Sequence, residues 1–140
     1  MRPSSRIERM AAATVLIAAG VSSIARAEDL STYSGTDLFT RYCSSCHGKQ
    51  GEGDGPVASF FKMQPPDLTR ISRRHGGKFP SAAIRDIIDG RANLAAHGER
   101  AMPVWGLEFA RAQGGTSEAQ DAGQTLISRL VEYLHSIQRH

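Results

Sequence analysis

Residues 42–48, YCSSCHG, hold both cysteines of this 140-residue chain, three positions apart, with a histidine directly after the second. Cysteines so spaced serve as a redox dithiol, as half of a zinc site, or as the covalent anchor of a haem. The choice among these decides the fold. A thioredoxin-type dithiol starts a helix after a strand, inside a βαβ unit. Here no period-two strand pattern occurs anywhere in the sequence, and the motif closes a helical pattern. A structural zinc site needs two more ligands at matching spacing, and with no third cysteine only scattered histidines could supply them. A disulfide across two intervening residues closes too small a loop to stabilise much.

The haem anchor accounts for every residue of C-x-x-C-H. Two thiols add across the two vinyl groups on one edge of the porphyrin, giving thioethers that do not dissociate. The next residue is thereby fixed beneath the ring. His47 can then donate Nε2 to the iron while a neighbouring acceptor orients its other nitrogen.

The amino-terminal region points to export. MRPSSRIERM carries Arg2, Arg6 and Arg9, and it runs into the apolar stretch AAATVLIAAGVSSIA and then Ala25-Arg26-Ala27. This order is that of a secretory signal peptide, expected over residues 1–27 with cleavage after Ala27 and a periplasmic destination. The apolar run from Ala11 to Ala25 is short against the ~20 residues that cross a bilayer. The whole chain has seventeen basic and fourteen acidic residues; removing the leader takes away four arginines and one glutamate, leaving thirteen of each. The neutral balance removes the main argument for nucleic-acid binding.

Residues 28–140 are expected to form one domain. GTDLFTRYCSSC has amphipathic helical spacing, with Leu38, Phe39, Tyr42, Cys43 and Cys46 on one face and Ser34 or Thr36 as cap. GKQGEGDGP is a glycine-rich loop, VASFFKM a helical turn ended by Pro65-Pro66, and RISRRHGGK (70–78) a basic loop. Pro80-Ser81 opens a short helix with Ile84, Ile87 and Ile88 on one face and Gly90 as its stop. RANLAAHGERAMPVWG reads as a loop around a helical turn. Ser117 with Gln120 makes a capping-box signature ahead of a last helix striped by Ala122, Leu126, Leu130, Tyr133, Leu134 and Ile137. Helices joined by loops of this length imply a large apolar cofactor that completes the core.

A second iron ligand is sought among Met63, Met102, His75, His97, His135 and His140. His140 is terminal, His135 sits on the last helix, and His75 stands among arginines. Met63 follows two phenylalanines and reads as ordinary core. Met102, in AMPVWG, lies in a loop ahead of the last helix, is followed by a rigid proline, and has an indole three positions on. It is the preferred ligand, with His97 next.

At these residues the sequence resembles the class I c-type cytochromes, in particular small bacterial monohaem cytochromes. The likeness covers most of residues 33–139 and rests on C-S-S-C-H-G (43–48), G-E-G-D-G-P (51–56), P-P-D-L-T (65–69), M-P-V-W-G (102–106) and L-V-E-Y-L (130–134). The resemblance implies an all-α cytochrome c fold of three to five helices, with long loops wrapped around one covalently bound haem. It implies that the first and last helices cross, with Gly35 and Phe39 meeting Tyr133, and that the carbonyl of Pro56 or Pro65 accepts the Nδ1 proton of His47. The basic loop and the polar stretch RAQGGTSEAQDAG are not landmarks of that family.

The function implied is electron transfer rather than enzymatic turnover. Cys43, Cys46, His47 and Met102 hold the haem, with His47 and Met102 on the iron, and no nucleophile–base pair or paired carboxylates appear. The expected donor is a dehydrogenase or quinol-oxidising complex and the acceptor an oxidase or reductase, reached at the membrane only through a partner complex. Two rivals stand: a peroxidase-like or gas-sensing haem protein in which the sixth ligand dissociates, and a dedicated cytochrome subunit of a larger oxidoreductase. Arg70, Arg73, Arg74, Lys78, Arg85 and Arg91 face only Asp86 and Asp89 within 70–91. This imbalance suggests a partner with an acidic docking surface, against the blander reading of a solvated face.

Overall fold

The computed structural model describes residues 29–92 and 102–139. The expected leader (residues 1–27), His97, His140 and most of the stretch from Arg91 to Met102 lie outside the described residues. Six α-helical segments follow one another: α1 (Gly35–Tyr42), α2 (Ser44–His47), α3 (Ile71–Arg74), α4 (Ser81–Asp89), α5 (Trp105–Ala112) and α6 (Ser117–Ser136), with single 3₁₀ turns at Leu30–Thr32, Ala58–Phe60 and Leu68–Arg70. Among the described residues there is no strand, and no helix is long and apolar enough to cross a membrane. The all-α class is as expected, with two of the six helices among the described residues only four residues long.

Ser34 starts α1 with a reciprocal capping box. Its hydroxyl accepts from the Asp37 amide at 3.1 Å, and the Asp37 carboxylate accepts from the Ser34 amide at 3.0 Å. Two of the donors left over at a helix start are thus satisfied. The helix expected to run through Cys46 instead breaks at Cys43, which ends α1 and precedes α2. Gly90, in the left-handed conformation at φ 86°, stops α4 as expected. The cap of α6 is Thr116 rather than Ser117: its side chain accepts from the Ala119 amide at 3.2 Å.

The basic segment expected as a loop is helical in part, and a helix expected from neither flanking segment joins the methionine motif to the polar stretch. Residues 71–74 of the basic segment form α3, and WGLEFARA forms α5. The supposed polar insert RAQGGTSEAQDAG therefore contains the end of α5, a turn, and the start of α6. The signal for α5 is present in the sequence: Trp105, Phe109 and Ala112 recur at helical steps, directly after the Met102-Pro103 pair.

The core is built by α1, α4 and α5 against α6. Leu38 and Phe39 from α1, Ile84 and Ile88 from α4, and Phe109 from α5 are buried with Leu126, Ile127, Leu130, Val131 and Leu134 of α6. Gly35 lets α1 approach α6 closely. A methyl group there would stand 2.8 Å from Tyr133 Cβ and would run into the Arg129 carbonyl oxygen. The Phe39 and Tyr133 rings meet at 5.1 Å, so the contact implied by the family resemblance is present. Arg129 also ties the amino-terminal segment down, donating to the carbonyls of Ser31 (2.7 Å) and Tyr33 (2.8 Å).

The carboxy-terminal end of α6 holds the other side of the molecule. The Gln138 amide group accepts from the Ser72 amide (2.8 Å) and donates to the Leu68 carbonyl (2.8 Å) and the Leu134 carbonyl (2.6 Å). Three backbone groups, two from the short elements at Leu68–Arg74 and one from the last turn of α6, find partners in one side chain. Nothing in the sequence marks Gln138 for this role, because its partners are 66 and 70 residues away.

Candidate functional site

The CSSCH segment is held by the glycine-rich loop that follows it. The carbonyls of Ser45, Cys46 and His47, left without partners at the end of α2, accept from the amides of Val57 (3.1 Å), Gly55 (3.2 Å) and Gly53 (2.8 Å). The loop therefore folds back on the helix end and fixes the backbone of His47. Gly53, at φ 83°, also lies against the next strand of chain: a Cβ there would collide with the Pro65 carbonyl oxygen. The Leu68 amide donates to the Gly51 carbonyl at 2.6 Å and clamps the Pro65–Leu68 stretch in place.

The clamp decides which carbonyl orients the histidine. His47 Nδ1 stands 3.3 Å from the carbonyl oxygen of Pro66, so neither Pro56 nor Pro65 fills that role. Since a carbonyl only accepts, Nδ1 carries the proton and Nε2 keeps its lone pair. Half-buried His47 has its pKa lowered by desolvation, with the Pro66 bond acting in the opposite direction. The net effect favours neutral imidazole, the form that binds a metal.

The two thiols are half-buried and not joined to each other. Burial, followed by repulsion from Cys46, pushes the Cys43 thiol up to about 12. A redox dithiol works through a thiolate of lowered pKa. Cys43 is the opposite case. Among the described residues no group of three or more His, Cys, Asp or Glu side chains converges as a metal cluster, so Cys43, Cys46 and His47 do not gather around one point as zinc ligands would.

The other residues singled out in the sequence are dispersed. Met102 is half-buried against the main core. Met63, read as ordinary core, is 70% exposed, and Phe60 beside it is 85% exposed. The loop between the two haem-type motifs thus presents apolar side chains outward, a surface suited to a large apolar group. His75 is exposed, with Nδ1 2.9 Å from the Ile71 carbonyl, and His135 stacks on Phe79 with ring centres 4.8 Å apart. The rings of Tyr42, Trp105 and Phe109 lie 5.3–5.6 Å apart and, with Pro103, Glu108 and Ala112, line a cleft of about 530 Å³. Tyr42 precedes Cys43 and Trp105 follows Met102 by three positions, so this cluster joins the two motifs in space.

We expect the following of Gly53→Ala. A residue with a side chain in left-handed backbone costs about 1–2 kcal/mol, and crowding the Pro65 carbonyl adds about 1–3 kcal/mol. The unfolding free energy should fall by the sum of these, read by chemical unfolding, while Gly76→Ala, whose Cβ meets nothing within 4 Å, should show only the backbone part.

The fit to a covalent haem is therefore good at the level of the donor set: two unpaired thiols, an imidazole with its Nδ1 proton engaged, and a half-buried thioether. A family model described as "Cytochrome C oxidase, cbb3-type, subunit III" matches residues 31–113. No curated protein and no solved structure matches the chain. The chain belongs to that family of c-type cytochrome domains, and so carries covalently bound haem c.

Proposed function

We propose that this chain is an exported single-electron carrier with one haem c per molecule, held by Cys43 and Cys46 and ligated by His47 and Met102. The observation that carries the reading is the Pro66 carbonyl at Nδ1 of His47 in a member of a c-type cytochrome family. Bound haem c supplies an iron that gains and loses one electron. The protein's part is to anchor and to hold still. Two thioethers prevent loss of the group, Pro66 keeps the imidazole in one tautomer and orientation, and packing of Met102 against the core keeps a thioether sulfur in a fixed place. Methionine as the second ligand favours the reduced state over what two histidines would give. With His47 and Met102 both holding the iron, the protein around it would need to rearrange little on electron transfer.

Residues 1–27 then act as the leader and 28–140 as the cytochrome domain, working in the periplasm. The donor is a dehydrogenase or quinol-oxidising complex and the acceptor an oxidase or reductase. The printed family description names an oxidase subunit, which supports a second form of the same reading: a cytochrome subunit that stays within a larger complex.

The basic segment is less free than its sequence implies. Arg70 pairs with Asp67 at 3.2 Å, Arg91 pairs with Asp89, and Arg74 donates to the Asp67 carbonyl at 2.8 Å. Arg85 turns to α6 and donates to the Ser128 hydroxyl at 3.0 Å. Arg73 and Lys78 are exposed and make no ion pair with a described residue. These two cations, together with exposed Arg74, whose bond to a neutral carbonyl leaves its charge in place, form the docking feature we assign to an acidic partner. Exposed charges are screened within about 8 Å at physiological ionic strength, so they act on encounter rate more than on final affinity.

The test is the visible spectrum followed by transfer kinetics. A low-spin spectrum with a sulfur-to-iron band, and transfer to the partner that slows with salt and in Arg73→Glu/Lys78→Glu, are the expected results. A high-spin spectrum would favour the peroxidase-like or gas-binding rival. Rates indifferent to salt and to both substitutions would reduce the basic segment to solvated surface.

A further inference from the structure

Helix α5 begins three residues after Met102 and has no side-chain cap of its own. Its N-cap, Val104, offers only a carbonyl, which accepts from the amides of Leu107 and Glu108 at 3.1 Å. Met102, Pro103 and Val104 are consecutive, and the proline leaves little freedom between the sulfur-bearing residue and the helix. Whatever holds the start of α5 therefore holds Met102.

A carboxylate from another helix lies against the first turn of α5. Asp89, the last residue of α4, is 9% exposed, far more buried than an aspartate usually is. One oxygen, Oδ1, accepts from Gln124 Nε2 of α6 at 2.9 Å. The other pairs with Arg91. Oδ1 also fills the space beside Gly106, in the first turn of α5, where any side chain would collide with it; the Asp89 carbonyl oxygen lies 3.0 Å from the same point. A negative group at the amino end of a helix faces the positive end of its dipole. Asp89 thus joins α4, α5 and α6 at one point, beside the first turn of the helix that follows Met102.

We propose that Asp89 is a positioning residue for Met102, acting through the start of α5, with Gln124 and the bare backbone of Gly106 as the two features that make room for it and hold it. The proposal rests on the reading of Met102 as an iron ligand. It assigns Asp89 no contact with the haem. Its consequence is that loss of the carboxylate loosens the second ligand without unfolding the protein, so that an added ligand competes more easily for the iron.

The probe is imidazole, titrated into the ferric holoprotein and followed by loss of the sulfur-to-iron absorption. In Asp89→Ala the apparent imidazole affinity should rise about tenfold, because the apparent affinity scales with the fraction of molecules in the ligand-released state. Asp89→Asn, which keeps an acceptor for Gln124, should rise less, and Gly106→Ala, which displaces the carboxylate while leaving it in the chain, should rise as Asp89→Ala does. Leu30→Ala is the control for general destabilisation: Leu30 is fully buried, in the 3₁₀ turn ahead of α1 and on none of the three helices that meet at Asp89, and its loss should lower the denaturation midpoint without raising imidazole affinity. If Leu30→Ala and Asp89→Ala raise the affinity equally, or if Asp89→Ala leaves it unchanged, the positioning role is overturned. A wild-type protein with no sulfur-to-iron band, or one whose band survives Met102→Leu, would instead overturn the ligand reading on which the proposal stands.

Discussion

Replacing both cysteines, Cys43→Ser with Cys46→Ser, is expected to remove covalent haem entirely and with it the folded state. The described core has one extensive apolar cluster centred on α6, and the loop bearing Phe60 and Met63 has its apolar side chains outside that cluster. Domains of this size keep only about 5–15 kcal/mol of net stability. A large apolar group held by two thioethers is then a major share of what holds the loops. Intact mass after export should show the polypeptide alone, and circular dichroism should show most of the helix lost. Cys43→Ser alone should retain haem through the remaining thioether, at reduced yield. A double variant that stays folded and low-spin would show that the cysteines are not the anchor.

Met102→His should keep the iron low-spin while lowering the reduction potential. Imidazole donates to ferric iron more strongly than a thioether does, so it stabilises the oxidised state. The fall should be about 0.1–0.3 V, a part of the ~0.8 V range that axial ligands span. Potentiometric titration measures it. The matched control is Met63→Leu, which should alter neither spectrum nor potential, since Met63 is 70% exposed on a loop that the core does not enclose. If Met63→Leu removes the sulfur-to-iron band and Met102→Leu does not, the ligand assignment passes to Met63.

The proposed anchor was read from sequence spacing alone. C-S-S-C-H requires only that neighbours along the chain be at fixed separations, and a short helix delivers those separations whatever surrounds it. The cap at Ser34 and the stop at Gly90 were legible for the same reason, because each acts on backbone groups within four residues of itself. The family resemblance added the meeting of Gly35 and Phe39 with Tyr133, which no local rule predicts and which the structure contains.

Only the tertiary structure decided the partners of those local features. Pro66 rather than Pro56 or Pro65 faces Nδ1 of His47, because the choice depends on how Gly53 lies against Pro65 and how Leu68 is tied to Gly51. The count of positive charges in 70–91 was visible, but which of them are free depended on Asp67, Asp89 and Ser128, the last of these on a different helix. Met63 followed two phenylalanines and still faces outward, since neighbours in sequence do not determine which side of a loop meets the core. Asp89, Gln124 and Gly106 come together across separations of 17 to 35 positions, and a carboxylate, an amide and a glycine carry no mark of each other until the helices that bear them pack. Local backbone geometry is written in adjacent residues; the pairing of buried polar groups is fixed only when the chain closes around them, because only then does an unpaired group become costly.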